Sequence, residues 1–113
     1  MSIIKTKIQI FTDNGSAFGP GKAQLLSAII DHGSISAAAK SMKMSYKRAW
    51  DLVCAMNDAF QENLVITKVG GSQGGGAEVT PFGQKILALY QDAAKASDVY
   101  VEAQMSSITR FIK

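Results

Sequence analysis

Residues 34–60, SISAAAKSMKMSYKRAWDLVCAMNDAF, constrain this chain more than any other stretch, because they write two short helices meeting at a tight turn. Ser34 or Ser36 is a helix cap that accepts from a backbone N–H, and Ala37, Ala38 and Ala39 then supply strong helix formers without bulk. A helix of small residues lets a second one approach closely. The first helix should run out near Met42, the chain should turn through Lys43 and Met44, and Ser45 should cap the next helix. From there Ala49, Leu52, Val53, Met56 and Phe60 recur at helical spacing on one face, with Lys47, Asp51 and Asp58 on the other. The first turn of that second helix reads Ser45, Tyr46, Lys47, Arg48. Two cations there run against the usual preference for acidic residues at a helix start, and an external polyanion explains the choice. In a helix-turn-helix this end enters the major groove first, so the spacing predicts a reader of double-stranded DNA.

The rest of the chain reads as support for that pair. Ile4, Ile8 and Ile10 alternate with Lys5, Lys7 and Gln9, as in a half-buried strand, and Asp13, Asn14 and Gly15 signal a turn into a returning arm at 16–18. Gly19, Pro20 and Gly21 break the pattern. Leu25, Leu26, Ile29 and Ile30 then recur as a bracing helix ended by Gly33. His32 beside it fits the helix end and is assigned no chemistry. Residues 64–69 read as a strand, 70–76 as a glycine-rich loop and 77–80 as a returning strand, which together make a wing. Thr80 caps a last helix with Pro81 at its first position. If continuous over 81–111, that helix is about 45 Å long, more than the rest of so small a chain covers. Its stripe of Ile86, Tyr90, Ala93, Ala94, Ser97, Val101, Met105, Ile108 and Ile112 would be wet on a monomer, and a second copy is the simplest cover.

Composition narrows the function classes. A chain of 113 residues suits one domain, and 12 Lys+Arg against 9 Asp+Glu, with a pI near 9.1, favours a polyanionic partner. One cysteine and one histidine leave no disulfide and no Cys/His zinc set, so no metal or cofactor is expected. Cys54 has no histidine placed to activate it, and no pair of carboxylates shares a face beside a pocket, so no catalytic residue is expected and the chain is read as a non-enzyme. The glycine run lacks the Gly-Lys-Ser/Thr ending of a nucleotide-binding loop. No apolar run approaches a membrane span and no cleavable leader is seen, which places the chain in the cytoplasm, away from membranes.

The runs GPGKAQLLSAI, GSISAAAKSMKMSYKRAWDLV and GGSQGGGAEVTPFG, in that order, resemble the N-terminal DNA-binding domain of the ModE-type molybdate-responsive transcription regulators, whose winged helix-turn-helix is related to that of LysR-type regulators. The resemblance covers nearly the whole chain. It implies a dimeric regulator with Ser45, Tyr46, Lys47, Arg48 and Trp50 at the recognition positions, and Ser72 and Gln73 stand at the wing tip where the family usually has a basic residue. The DNA-reading arrangement itself sets Ser34 on phosphate and a homodimer on a two-fold operator. The family's oxyanion-sensing β-barrel domains are not expected within these residues, so no molybdate response is expected from them. The expected fold is mainly α with a small β part (α+β): a single winged helix-turn-helix domain with an N-terminal hairpin (1–19), a helix-turn-helix core (21–63), a wing (64–80) and a dimerisation helix (81–113). A second reading keeps the same fold but has the terminal helix pair with a larger regulator, leaving DNA alone.

Overall fold

A computed structural model describes residues 3–69 and 75–113. In chain order they form β1 (Ile10–Thr12), β2 (Gly15–Phe18), α1 (Pro20–His32), α2 (Ile35–Ser41), α3 (Tyr46–Ala59), β3 (Val65–Lys68), β4 (Gly76–Val79) and α4 (Pro81–Thr109). The strands pair only within two antiparallel hairpins, β1 with β2 and β3 with β4. This is a winged-helix α+β fold, as the periodicity predicts.

The core lies where α1, α2 and α3 cross beneath the second hairpin. Leu25, Leu26 and Ile29 from α1 meet Ile35 and Ala38 from α2 and Ala49, Val53 and Met56 from α3, all buried. Ala38 and Ala49 have no exposed surface, so nothing larger than a methyl separates the crossing helices at these points. An edge-to-face chain of rings, Tyr90 to Phe18 to Phe60 to Phe82, joins the first hairpin to α3 and α4.

Gly33 ends α1 in the left-handed region at φ 77°, its N–H donating to the Ile29 carbonyl at 2.8 Å. A side chain there would be strained. Its carbonyl also accepts from Ala77 N–H at 2.9 Å, which ties the α1–α2 corner to the second hairpin.

Three sequence expectations need correction. The break after the first hairpin falls where expected, at Gly19, but the helix-turn-helix core begins at residue 20 and not 21: Pro20 is the first residue of α1, where its missing N–H costs nothing. The alternation over residues 3–10 does not make a long strand, since only Ile10–Thr12 pairs. Residues 3–9 instead run alongside α4. Ile4, Thr6 and Ile8 are half-buried, Thr6 Oγ1 donates to Asp98, and Tyr90 Oη donates to the Ile8 carbonyl at 2.8 Å. Burial there raises the Tyr90 pKa.

That strap forces the third correction, to the expected apolar seam of α4. Of that stripe, Ile86, Tyr90, Ala94, Ser97 and Val101 are half-buried within this chain, while Ala93, Met105, Ile108 and Ile112 are exposed as expected; Leu89, Ala96, Tyr100 and Ala103 join Ala93 in an exposed row beside the half-buried one. Their alternating spacing of four and three residues is that of a helix-pairing seam.

Asn57 holds α3 to β3. Its side-chain carbonyl accepts from Leu64 N–H at 2.8 Å and Val65 N–H at 3.2 Å, while its amide donates to the Val65 carbonyl at 3.0 Å. Asn57→Ala strands these backbone groups in a partly buried site. It is expected to cost about 2 to 4 kcal/mol in urea unfolding; a loss below ~0.5 kcal/mol would show that water replaces the side chain.

Candidate nucleic-acid interface

The site is built on the junction of α2 and α3. Ser34 caps α2 by accepting from Ala37 N–H at 3.0 Å, and α2 ends after about two turns. Lys43 then takes φ 57°, a left-handed conformation that few non-glycine residues adopt, and reverses the chain. Met44 N–H closes the turn on the Ala39 carbonyl at 3.0 Å. Ser45 caps α3 by accepting from Arg48 N–H at 3.1 Å. Neither the first turn of α3 nor that of α2 carries an acidic side chain.

The predicted residues fall on two sides of the start of α3. Ser45, Lys47 and Arg48 line a shallow recess with Asp51 and Leu52. Lys47 is 84% exposed along its side chain and pairs with Asp51 at 3.1 Å, an i, i+4 contact too solvated to hold the ammonium against a stronger anion. Ser34, Tyr46 and Trp50 line a different cleft, of about 400 Å³, whose far wall is the second hairpin. Tyr46 and Trp50 lie face to face at 6.4 Å and 17°, and are 54% and 40% exposed. Trp50 therefore points outward, not into the core. Ser72 and Gln73 lie outside the described residues, so their expected place at the wing tip is not compared.

Two polar residues in this region, Thr67 and Lys68, were not singled out from the sequence, and a third, Ser36, was read there only as a candidate cap. Lys68 and Thr67, both on β3, line the same cleft as Tyr46, and Lys68 is exposed while paired with Glu78 at 2.8 Å. The family resemblance directs attention to the wing glycines, where this chain has Ser72 and Gln73, whereas Lys68 precedes them on β3. The cation is the last residue of β3, opposite Gly76 at the loop end of the described strands. Ser36, in the first turn of α2, also lines the cleft.

This arrangement suits an extended polyanion. Hydroxyls and free N–H groups at the starts of α2 and α3 favour phosphate oxygens, and Lys47, Arg48 and Lys68 supply charge on either side of the aromatic pair. Among the described residues no group of three or more His, Cys, Asp or Glu gathers to hold a metal ion, and no helix is long and apolar enough to cross a membrane.

Comparison with known proteins gives the following. No family model matches the chain. The molybdenum transport protein ModE of Azotobacter vinelandii is 42% identical over 85 residues, covering 75% of this chain and 32% of that protein. The DNA-binding transcriptional dual regulator ModE of Escherichia coli K12 is 35% identical over 119 residues, covering 96% of this chain and 43% of that protein. The molybdenum-pterin-binding protein MopB of Rhodobacter capsulatus is 47% identical over 76 residues, 67% of this chain and 28% of that protein. The chain thus spans less than half the length of these relatives. Among solved structures, oxidised OxyR of Corynebacterium glutamicum superposes with a TM-score of 0.57 at 13% identity, over 88% of this chain and 28% of that one. Effector-bound full-length LysG of the same organism does so with 0.55 at 23%, over 84% and 30%. At these identities the structures bear on the fold alone.

Proposed function

Given a chain homologous over most of its length to ModE-named transcriptional regulators and folded like LysR-type DNA-binding segments, we propose that it is the operator-reading part of a transcription regulator. Lys47 and Arg48 reach base edges and adjacent phosphates of duplex DNA, Ser34 and Ser45 set backbone donors on phosphate, and Lys68 brings the wing onto the flanking backbone. The observation that carries this reading is the first turn of α3: exposed, serine-capped, doubly cationic and free of acidic groups. Such a turn repels carboxylate-bearing partners least and gains most from a phosphate backbone.

A homodimer completes the site. At about 1.5 Å per residue the 29 residues of α4 extend to roughly 44 Å, and the exposed row of Leu89, Ala93, Ala96, Tyr100 and Ala103 suits a second copy of the same helix. Two copies then present two α3 helices to a two-fold operator. In this reading the molybdenum-related functions in the relatives' names are not carried by these residues. The described strands make two separate hairpins, not the small β-barrel that the family resemblance assigns to oxyanion sensing.

The test is selection from a random-sequence duplex library at low ionic strength, followed by the mass of the complex. The expected result is enrichment of an inverted repeat bound by two chains. A chain that enriches no sequence and elutes only with a larger protein bound along α4 supports the second reading, an interaction module.

A further inference from the structure

Phosphate binding accounts for the cationic side of α3 but not for the aromatic side. Tyr46 and Trp50 are four residues apart, so both rings leave the same face of the helix, and they stack as one strip instead of packing into the core. The cleft they floor continues to the apolar side chain of Val69, which is almost fully exposed. A phenol and an indole carry one polar hydrogen each, which a phosphate oxygen can accept, but their broad apolar faces find no use on phosphate.

Among the base edges in the major groove, thymine alone presents an apolar group, its 5-methyl. Successive bases on a strand are about 3.4 Å apart, so a strip of two stacked rings spans about two steps. The flanking Lys47, Arg48 and Lys68 match a duplex and oppose a purely apolar peptide as the occupant.

We infer that Tyr46 and Trp50 together read thymine methyl groups, so that each half-site carries one or two adjacent thymines opposite this strip while Arg48 and Lys47 address the neighbouring positions. The inference rests on the DNA-binding reading above and names what that surface selects.

The probe is the duplex recovered from the random library. Replacing the shared thymines of each half-site by deoxyuridine removes only the methyl groups. Affinity is expected to fall roughly threefold to fivefold per methyl. In Tyr46→Ala, an exposed position in the first turn of α3, the uracil penalty should shrink while the circular dichroism of the free protein stays unchanged. Trp50 is the only tryptophan, so its emission should respond to the thymine duplex and respond less to the uracil duplex. Equal affinity for the two duplexes overturns the inference and leaves DNA binding standing. A uracil penalty undiminished in Tyr46→Ala belongs to the stiffness of the duplex and overturns it too. Recovery of no duplex at all removes the DNA-binding reading, and this inference with it.

Discussion

Replacing Lys47 and Arg48 together by alanine is expected to weaken binding to a selected duplex by about a hundredfold at ~0.1 M salt. Both side chains sit in the first turn of α3, beside the Ser45 cap and away from the buried face made by Ala49, Val53 and Met56. Their loss removes two cations without opening the core. The Lys47–Asp51 pair is exposed on both partners and contributes little to folding, so the unfolding midpoint should hardly move. Each cation that neutralises a phosphate adds about 0.9 to the slope of log affinity against log salt, and the double variant should therefore lose roughly 1 to 2 from that slope. A fluorescence titration against salt measures both quantities. An unchanged affinity together with an unchanged slope would mean that α3 does not face the nucleic acid. A fall in affinity with no change in slope would assign the two residues to base edges instead of phosphates.

Much of the local structure that positions the candidate site was legible because its signals are local. Ser34, Ser45 and Thr80 cap helices through side chains that act within three residues, so type and position suffice to place them. The alanines of α2 and the apolar spacing of α3 likewise report helices whose partners are close in sequence. What escaped was set by distant contacts. The alternation of residues 3–9 has the period of a strand, yet its partner is a helix some 80 to 90 residues later, and no local pattern distinguishes a sheet neighbour from a helix face. The same strap half-covers the first part of the expected α4 stripe, while Met105, Ile108 and Ile112 stay open as the sequence suggests. Asn57 looks like any polar residue on the outer side of a helix; its role depends on where β3 happens to lie.

The arrangement also links reading to pairing through one close contact, and this makes Gly83 the second sensitive position. Thr80 stands at the corner where β4 becomes α4. Its N–H donates to the Leu64 carbonyl at 2.9 Å, its hydroxyl donates to the Asn63 carbonyl at 2.7 Å, and the same oxygen accepts from Gly83 N–H at 2.9 Å. The first turn of α4 is thereby pressed against the start of β3. A Cβ on Gly83 would stand 2.4 Å from the Leu64 carbonyl oxygen and 2.8 Å from a methyl of Val79. The nearest obstacle is backbone, which cannot rotate away.

Gly83→Ala is thus a contest between two effects of known sign. Alanine is favoured over glycine inside a helix by about 1 kcal/mol, whereas forcing a buried methyl into occupied space costs about 1 to 3 kcal/mol and more where backbone must move. The clash should win, lowering stability by ~2 kcal/mol and loosening α4 from the second hairpin. Gly21→Ala supplies the opposite case within the same protein. Gly21 is exposed in the first turn of α1 and has nothing within 4 Å of the added methyl, so the same exchange should raise stability by ~0.5 to 1 kcal/mol. Urea unfolding of the two variants separates them by sign. Because α4 carries the proposed pairing row and β3 carries Lys68, Gly83→Ala should also reduce affinity for a two-fold duplex more than for an isolated half-site. Equal stability in the Gly83 and Gly21 variants would show that α4 rests on the wing too loosely to fix the distance between two reading helices.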